Sequence, residues 1–235
     1  MLAIYKRELR SYFVGVIGYV FLVIYLAMAG ILFSYTTMFS MSSDVTTYFT
    51  LMLIFSAVVL PLLTMKSFSE ERKTKTEQLI LTAPISLTAM VFGKFLASYT
   101  VFGSATILTS LYFLFLTPYT QLQFAILFGN LIALLLVGMV FISIGLFVSA
   151  ITENQLSAAI GTIAIILGLL GVGLINALIP TNYALRFVFD ALSIFTRFQS
   201  YVNGYFDFAT IIYYLSISGI FLWLTIRVYD RRRFG

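Results

Sequence analysis

The 235-residue chain has no cysteine and no histidine, four prolines, and nine acidic residues beside fourteen basic ones. Without cysteine there is no disulfide, thiol nucleophile or thiolate metal site. Without histidine, imidazole acid–base chemistry and most haem or zinc ligation are gone as well. The pair Glu70-Glu71 beside an apolar stretch would otherwise suggest an intramembrane glutamic protease, whose chemistry also needs histidines; that class is excluded unless another subunit supplies them. No G-x-x-x-x-G-K-[ST] loop is present, because Gly93-Lys94 is followed by Phe95 and lacks the earlier glycine. No catalytic residue, metal ligand or cofactor site is expected on this chain.

Charge is scarce too. Charged residues make up 10% of the chain and hydrophobic ones 61%, with a mean hydropathy of +1.03, against roughly 25% charged in soluble domains. The longest segment able to fold in water, Lys66 to about Gly93, is too short to bury a core of its own. Chain 1–235 therefore reads as one membrane domain.

What is abundant is uncharged sequence. No Asp, Glu, Lys or Arg occurs in the 33 residues between Arg10 and Asp44, and further charge-free runs cover Val45–Met65, Phe95–Thr152, Asn154–Leu185 and Phe208–Ile226. A bilayer core takes about 20 apolar residues per helix, so these runs hold one, one, two, one and one spans. Each span should be α-helical, since lipid offers backbone groups no water. The fold expected is all-α with six transmembrane helices, at about 15–36, 48–65, 95–116, 124–148, 156–175 and 208–226. The third and fourth divide at the turn signal Thr117-Pro118-Tyr119.

The net charge of +5 reads as topology rather than nucleic-acid binding. With the N-terminus in the cytoplasm, twelve basic residues lie inside and only Arg186 and Arg197 outside, the positive-inside pattern. An even number of spans keeps both basic termini cytoplasmic. A secretory signal peptide is the competing reading of the N-terminus, but its apolar run exceeds the usual h-region of about 7–15 residues.

Two amphipathic segments flank the spans. In residues 1–13, Leu2, Tyr5, Leu9, Tyr12 and Phe13 fall at helical spacing with Lys6 and Arg10 on a more polar side, which suits an interfacial helix; a basic tail that only sets orientation is the alternative. In residues 179–207, Val188, Leu192, Phe195, Phe198, Val202 and Tyr205 repeat that period, giving an outer interfacial or re-entrant helix. Span five carries Ser157, Gly161, Gly168 and Gly171, small residues that let a second helix approach closely.

The one charge-dense stretch is the cytoplasmic loop 66–93. Ser67 and Glu70 form a capping-box pattern, basic residues follow, and Pro84 stops the helix. A helix of about four turns is expected there, either a solvated loop whose charges enforce topology or a docking surface for a soluble partner.

Within it, Phe68-Ser69-Glu70-Glu71-Arg72-Lys73, Thr76, Leu79-Ile80-Leu81-Thr82-Ala83-Pro84-Ile85-Ser86 and Gly93-Lys94 resemble the first cytoplasmic loop of permease subunits of ABC-2-type transporters. The branch most similar serves gliding motility and nitrous-oxide-reductase maturation. A second match is Gly145-Leu146-Phe147, Ser149 and Thr152-Glu153-Asn154-Gln155. The chain departs from the family at Lys75, a position often glycine, and at Gln78, one often acidic.

The resemblance implies a non-catalytic subunit in a bacterial plasma (inner) membrane. It would pair with a second permease, each copy resting on a separate ABC-type ATPase that binds ATP and Mg. Phe68, Glu70, Glu71, Arg72, Thr76, Leu79, Leu81, Thr82 and Pro84 would then form the coupling helix, and Thr152, Glu153, Asn154 and Gln155 a second contact. Ser157, Gly161, Gly168 and Gly171 would face the partner permease. Cargo would be a lipid, a peptide or another solute, with Asn130 and Asn176 among the polar side chains of the spans. The rival classes are an ATP-independent channel or secondary carrier and a membrane anchor for other proteins. A proton-coupled carrier would want ionisable groups near the bilayer midplane, whereas every charge here can be placed at or beyond a span's end.

Overall fold

The computed structural model describes residues 1–39, 45–78, 86–116, 124–178 and 193–234, and among the described residues every regular element is helical. In chain order these are α1 (Leu2–Val14), α2 (Val16–Phe33, continued by a π-helical turn Ser34–Phe39), α3 (Thr46–Thr64) and α4 (Lys66–Lys73). Then come α5 (Leu87–Ser110, followed by a 3-10 turn Leu111–Leu116), α6 (Phe124–Ile151), α7 (Gln155–Leu178), α8 (Ile194–Val202) and α9 (Phe208–Phe234).

Among the described residues, six helices are long and apolar enough to cross a bilayer: Val16–Phe39, Thr46–Lys73, Leu87–Phe115, Phe124–Ile151, Gln155–Gly173 and Phe208–Arg233. They fall where the charge-free runs predict. Asp44, the Thr117–Tyr119 turn, Leu79, Leu81, Thr82 and Pro84 lie outside the described residues, as do Val188 and Leu192.

The fourth span, α6, is the hub, packing against α3, α4, α5, α7, α8 and α9. It is 72% buried over its most apolar window, against 28% for the first, fifth and sixth spans. Its sequence is apolar on every side, as a surrounded helix must be. Close packing depends on two of its glycines: a Cβ at Gly138 would overlap the Phe102 ring, and one at Gly145 would overlap the Thr64 side chain. In lipid, where apolar surfaces gain nothing by leaving solvent, such backbone proximity supplies the contact.

The N-terminal segment is a helix, as its periodicity predicts, but its inward stripe is Ile4, Glu8 and Tyr12. Leu2 and Phe13 stay exposed. The helix lies along α5: a Cβ at Gly93 would come within 3.0 Å of Ile4, and the Tyr12 hydroxyl bonds to Ser98 Oγ at 2.8 Å and donates to the Leu63 carbonyl at 3.2 Å.

At the opposite end, α8 starts at a Ser193 N-cap whose hydroxyl accepts the Thr196 N–H at 3.1 Å. It buries Ile194, Phe198, Tyr201 and Val202. Tyr205, expected on that stripe, is 72% exposed. Its displacement comes from Gly204, whose φ of 84° ends the helix in the left-handed conformation that glycine tolerates. Asp207 then caps α9, accepting the Ala209 N–H and the Thr210 hydroxyl; the backbone bond, the stronger influence, holds its carboxyl below the usual carboxylate range.

Candidate functional site

All charged pairs that join one element to another among the described residues sit at one end of the bundle, around α4 and the loop after it. The second span carries Pro61, which can donate no backbone hydrogen bond, and its helix is interrupted at Met65. Ser149 of α6 repairs the break. Its Oγ accepts the N–H groups of Phe68 and Ser69 at 3.1 Å each and donates to the Met65 carbonyl at 3.0 Å, so a hydroxyl stands inside the i→i−4 ladder. One turn earlier, Gly145 gives Thr64 room to approach.

The capping box does not form. Met65 is already helical (φ −54°, ψ −35°), so the chain enters α4 without a start for Ser67 to cap; Ser67 is buried and Glu70 pairs with Lys66 at 3.1 Å. Nor is there one helix of four turns. It ends at Lys73, and Lys75 follows with φ of 58°, the left-handed conformation that explains why glycine suits this position.

The centre of the cluster is Lys94, in the second turn of α5 and 1% exposed. Its ammonium donates to Glu71 Oε1 at 2.8 Å, Glu8 Oε1 at 3.2 Å and the Ser67 carbonyl at 2.7 Å, which uses all three of its protons. It also lies 5.0 Å from the centre of the Phe68 ring, within cation–π range. Arg7 closes the circuit through Glu8 at 2.7 Å and Glu71 at 3.4 Å, and the Glu8 carboxylate holds its pKa above the ordinary arginine value. Two cations and two anions thus balance, as buried charge requires.

Two arginines serve the end of α6, whose last carbonyls have no intrahelical donor. Arg72 donates to the Ile151 carbonyl and pairs with Glu153 at 2.7 Å; Arg232 donates to the Ala150 carbonyl and pairs with Glu77, both at 2.8 Å. Cations there also meet the negative end of the helix dipole. Phe68 is fully buried, its ring 5.0 Å from that of Tyr229, and Arg232 in turn lies over Tyr229 at 5.4 Å. The basic tail is therefore two further helical turns of α9 that return to the loop.

Of the residues singled out in sequence, Phe68, Glu70, Glu71, Arg72, Glu153 and Thr152 come together here. Thr152 bonds to its own helix, Asn154 Oδ1 accepts the Leu156 N–H at 3.0 Å, and Gln155 opens α7. Thr76 bonds to Thr74 at 2.9 Å and, with Lys73, Thr74 and Lys75, forms the exposed tip. In α7, Ser157 and Gly168 are exposed, a Cβ at Gly161 would lie 3.2 Å from Val148, and one at Gly168 or Gly171 would meet nothing within 4 Å. Sequence reasoning missed Glu8, Lys94 as a pivot, Ser149 and Arg232. The available signals were a lysine opening an apolar run, which needs a counter-charge, and an acid on the inward stripe of an amphipathic helix.

Six spans, the fourth of them central, with a charged loop bonded to the span ends, define a multi-pass membrane protein. The chain belongs to the ABC-2 family of transporters: the family described as ABC-2 family transporter protein matches residues 3–211. It is thus the membrane permease component of an ABC transporter. A comparison with curated proteins finds no match.

Proposed function

We propose that this chain is the membrane half of an ATP-driven exporter or lipid- or peptide-handling complex. In this reading it pairs with a second permease, and each copy rests on a separate ABC-type ATPase that binds ATP and Mg. The assembly sits in a bacterial inner membrane with both termini cytoplasmic, in the branch serving gliding motility and nitrous-oxide-reductase maturation. The exposed tip Lys73–Thr76, with the residues that follow it, docks on the ATPase, and the Thr152–Gln155 turn makes the second contact.

One observation carries this reading: the loop is bonded to α1, α5, α6 and α9 through Glu71, Arg72 and Glu77, so a push on the tip reaches four elements at once. Motion delivered there would shift packed helices between two arrangements. A self-sufficient proton-coupled carrier fits less well. Among the described residues the one buried lysine lies at a span's end and is neutralised on the spot.

The test is Arg72→Gln in proteoliposomes holding the permease and its ATPase. This substitution breaks the bonds to Ile151 and Glu153 without leaving a buried charge, whereas Glu71→Lys would set a second cation against Lys94. ATPase binding should persist, while ATP hydrolysis loses its dependence on the permease. Unchanged stimulation would overturn the relay.

A further inference from the structure

A cavity of about 240 Å³ opens between α1, the start of α2 and α4. Arg7, Lys66 and Lys94 line it with Glu8, Glu70 and Glu71, so it carries both signs and no net charge. Ser67 lines it too: it is 7% exposed, and its hydroxyl has no hydrogen-bond partner within the protein. The Ser67 oxygen itself is closed off from solvent, so the charged side chains carry what the chamber can bind. Both bonds of Arg7 to its carboxylates leave from Nη2, so further N–H donors of the guanidinium remain on a side chain 56% exposed.

Beyond Ile17, which lines both spaces, an apolar groove of about 170 Å³ follows the seam between the first two spans, walled by Val20, Phe21, Ile24, Val59 and Leu62. From Ile17 to Ile24 the helix rises about 10 Å. The groove lies on the lipid side of the bundle: Val20, Ile24 and Leu62 are each more than a third exposed. A polar, charge-balanced chamber at the membrane boundary thus continues into an apolar slot directed toward the bilayer interior.

We propose that this chamber and slot hold one zwitterionic aminophospholipid, its headgroup among the charges and an acyl chain in the groove. Arg7 and Lys66 bind the phosphate; Glu70 accepts from the primary ammonium. A primary ammonium has three protons to donate, which a choline group lacks, and an anionic glycerol headgroup would leave the carboxylates facing negative charge. The lipid would bridge α1 to the second span beside Lys94. This site is independent of whether the loop docks on an ATPase.

Native mass spectrometry of the full-length protein released from mild detergent tests it. Phosphatidylethanolamine, phosphatidylcholine and phosphatidylglycerol with identical chains are titrated in turn. One phosphatidylethanolamine per chain should be retained about tenfold more tightly than either of the others. Lys66→Ala and Glu70→Gln should each weaken retention several-fold, and Leu62→Trp should block it by filling the groove. Phosphoethanolamine without chains should not compete. Equal retention of the three lipids, retention unchanged in Lys66→Ala and Glu70→Gln, or competition by the bare headgroup would overturn the proposal. Arg72→Gln, which abolishes coupling in the reading above, should leave lipid retention intact.

Discussion

Replacing Lys94 by methionine keeps the length and apolar stem of the side chain but removes the charge that two carboxylates face. Glu71 Oε1 lies 2.8 Å from the ammonium and Glu8 Oε1 3.2 Å, with side-chain exposures of 18% and 14%. At an effective dielectric of about 20, a contact near 3 Å is worth roughly 5–6 kcal/mol of attraction before desolvation is subtracted. Much of that is offset by the cost of burying the ions, so the intact cluster adds little net stability. Breaking it is another matter: losing one member of a buried ionic group costs about 3–5 kcal/mol, because the remaining charge is stranded. Lys94→Met should therefore destabilise the protein by about that amount, measured by thermal unfolding in detergent.

The sharper prediction is the double variant. With Glu71→Gln added, Glu8 still has Arg7 at 2.7 Å and position 71 no longer carries a charge. Lys94→Met/Glu71→Gln should then be more stable than Lys94→Met alone, with a coupling of about 1–3 kcal/mol. A single variant that loses less than about 1 kcal/mol, or two losses that simply add, would mean that the cluster is not a closed ionic circuit.

Two other substitutions probe the same end of the bundle. Lys75→Gly relieves a left-handed residue at the tip and should raise stability by about 0.5–1 kcal/mol; a lower unfolding temperature would contradict the assignment of strain to φ of 58°. Gly145→Leu drives a side chain into Thr64 and should cost about 1–3 kcal/mol, with Thr64→Ala in the same chain recovering part of the loss if that contact is the cause.

Span number and position were legible because they depend on a one-dimensional quantity, the length of charge-free sequence, which the bilayer converts directly into helices. The register of α8 and the break after Lys73 were less so. Hydrophobic period alone cannot say where a helix stops: Gly204 and Lys75 each turn the chain through a positive φ, one with a residue suited to it and one without. The capping box misled for a related reason. Ser67-x-x-Glu70 signals a start only where the chain arrives in an extended conformation, and here it arrives as the far end of a span. Glu8 was hidden because the acid lies inside an apolar stripe whose partner is 86 residues away.

The position of the polar groups bears on how such a permease can transmit force. Within the spans, most hydroxyls bond to their own helix, as Thr100, Thr106, Ser143, Thr162 and Thr225 do. Such bonds travel with the helix and resist no sliding between neighbours. Directed bonds between α4, its loop and other elements gather at the charged end, where Lys94, Ser149, Arg72 and Arg232 join them to α1, α5, α6 and α9. Along the spans a few tyrosine hydroxyls bond between helices, Tyr25 to Ser56 and Thr106 and Tyr112 to the Leu26 carbonyl, but no ion pair does so among the described residues. A bundle stiffest at its charged end would pivot about that end. Weakening the Lys94 circuit should then loosen the transmission of movement before it unfolds the spans. Hydrogen exchange measured on the same variants can separate the two, since loss of protection confined to 2–14 and 66–78 would mark a released joint, and loss spread through 124–151 would mark a melted hub.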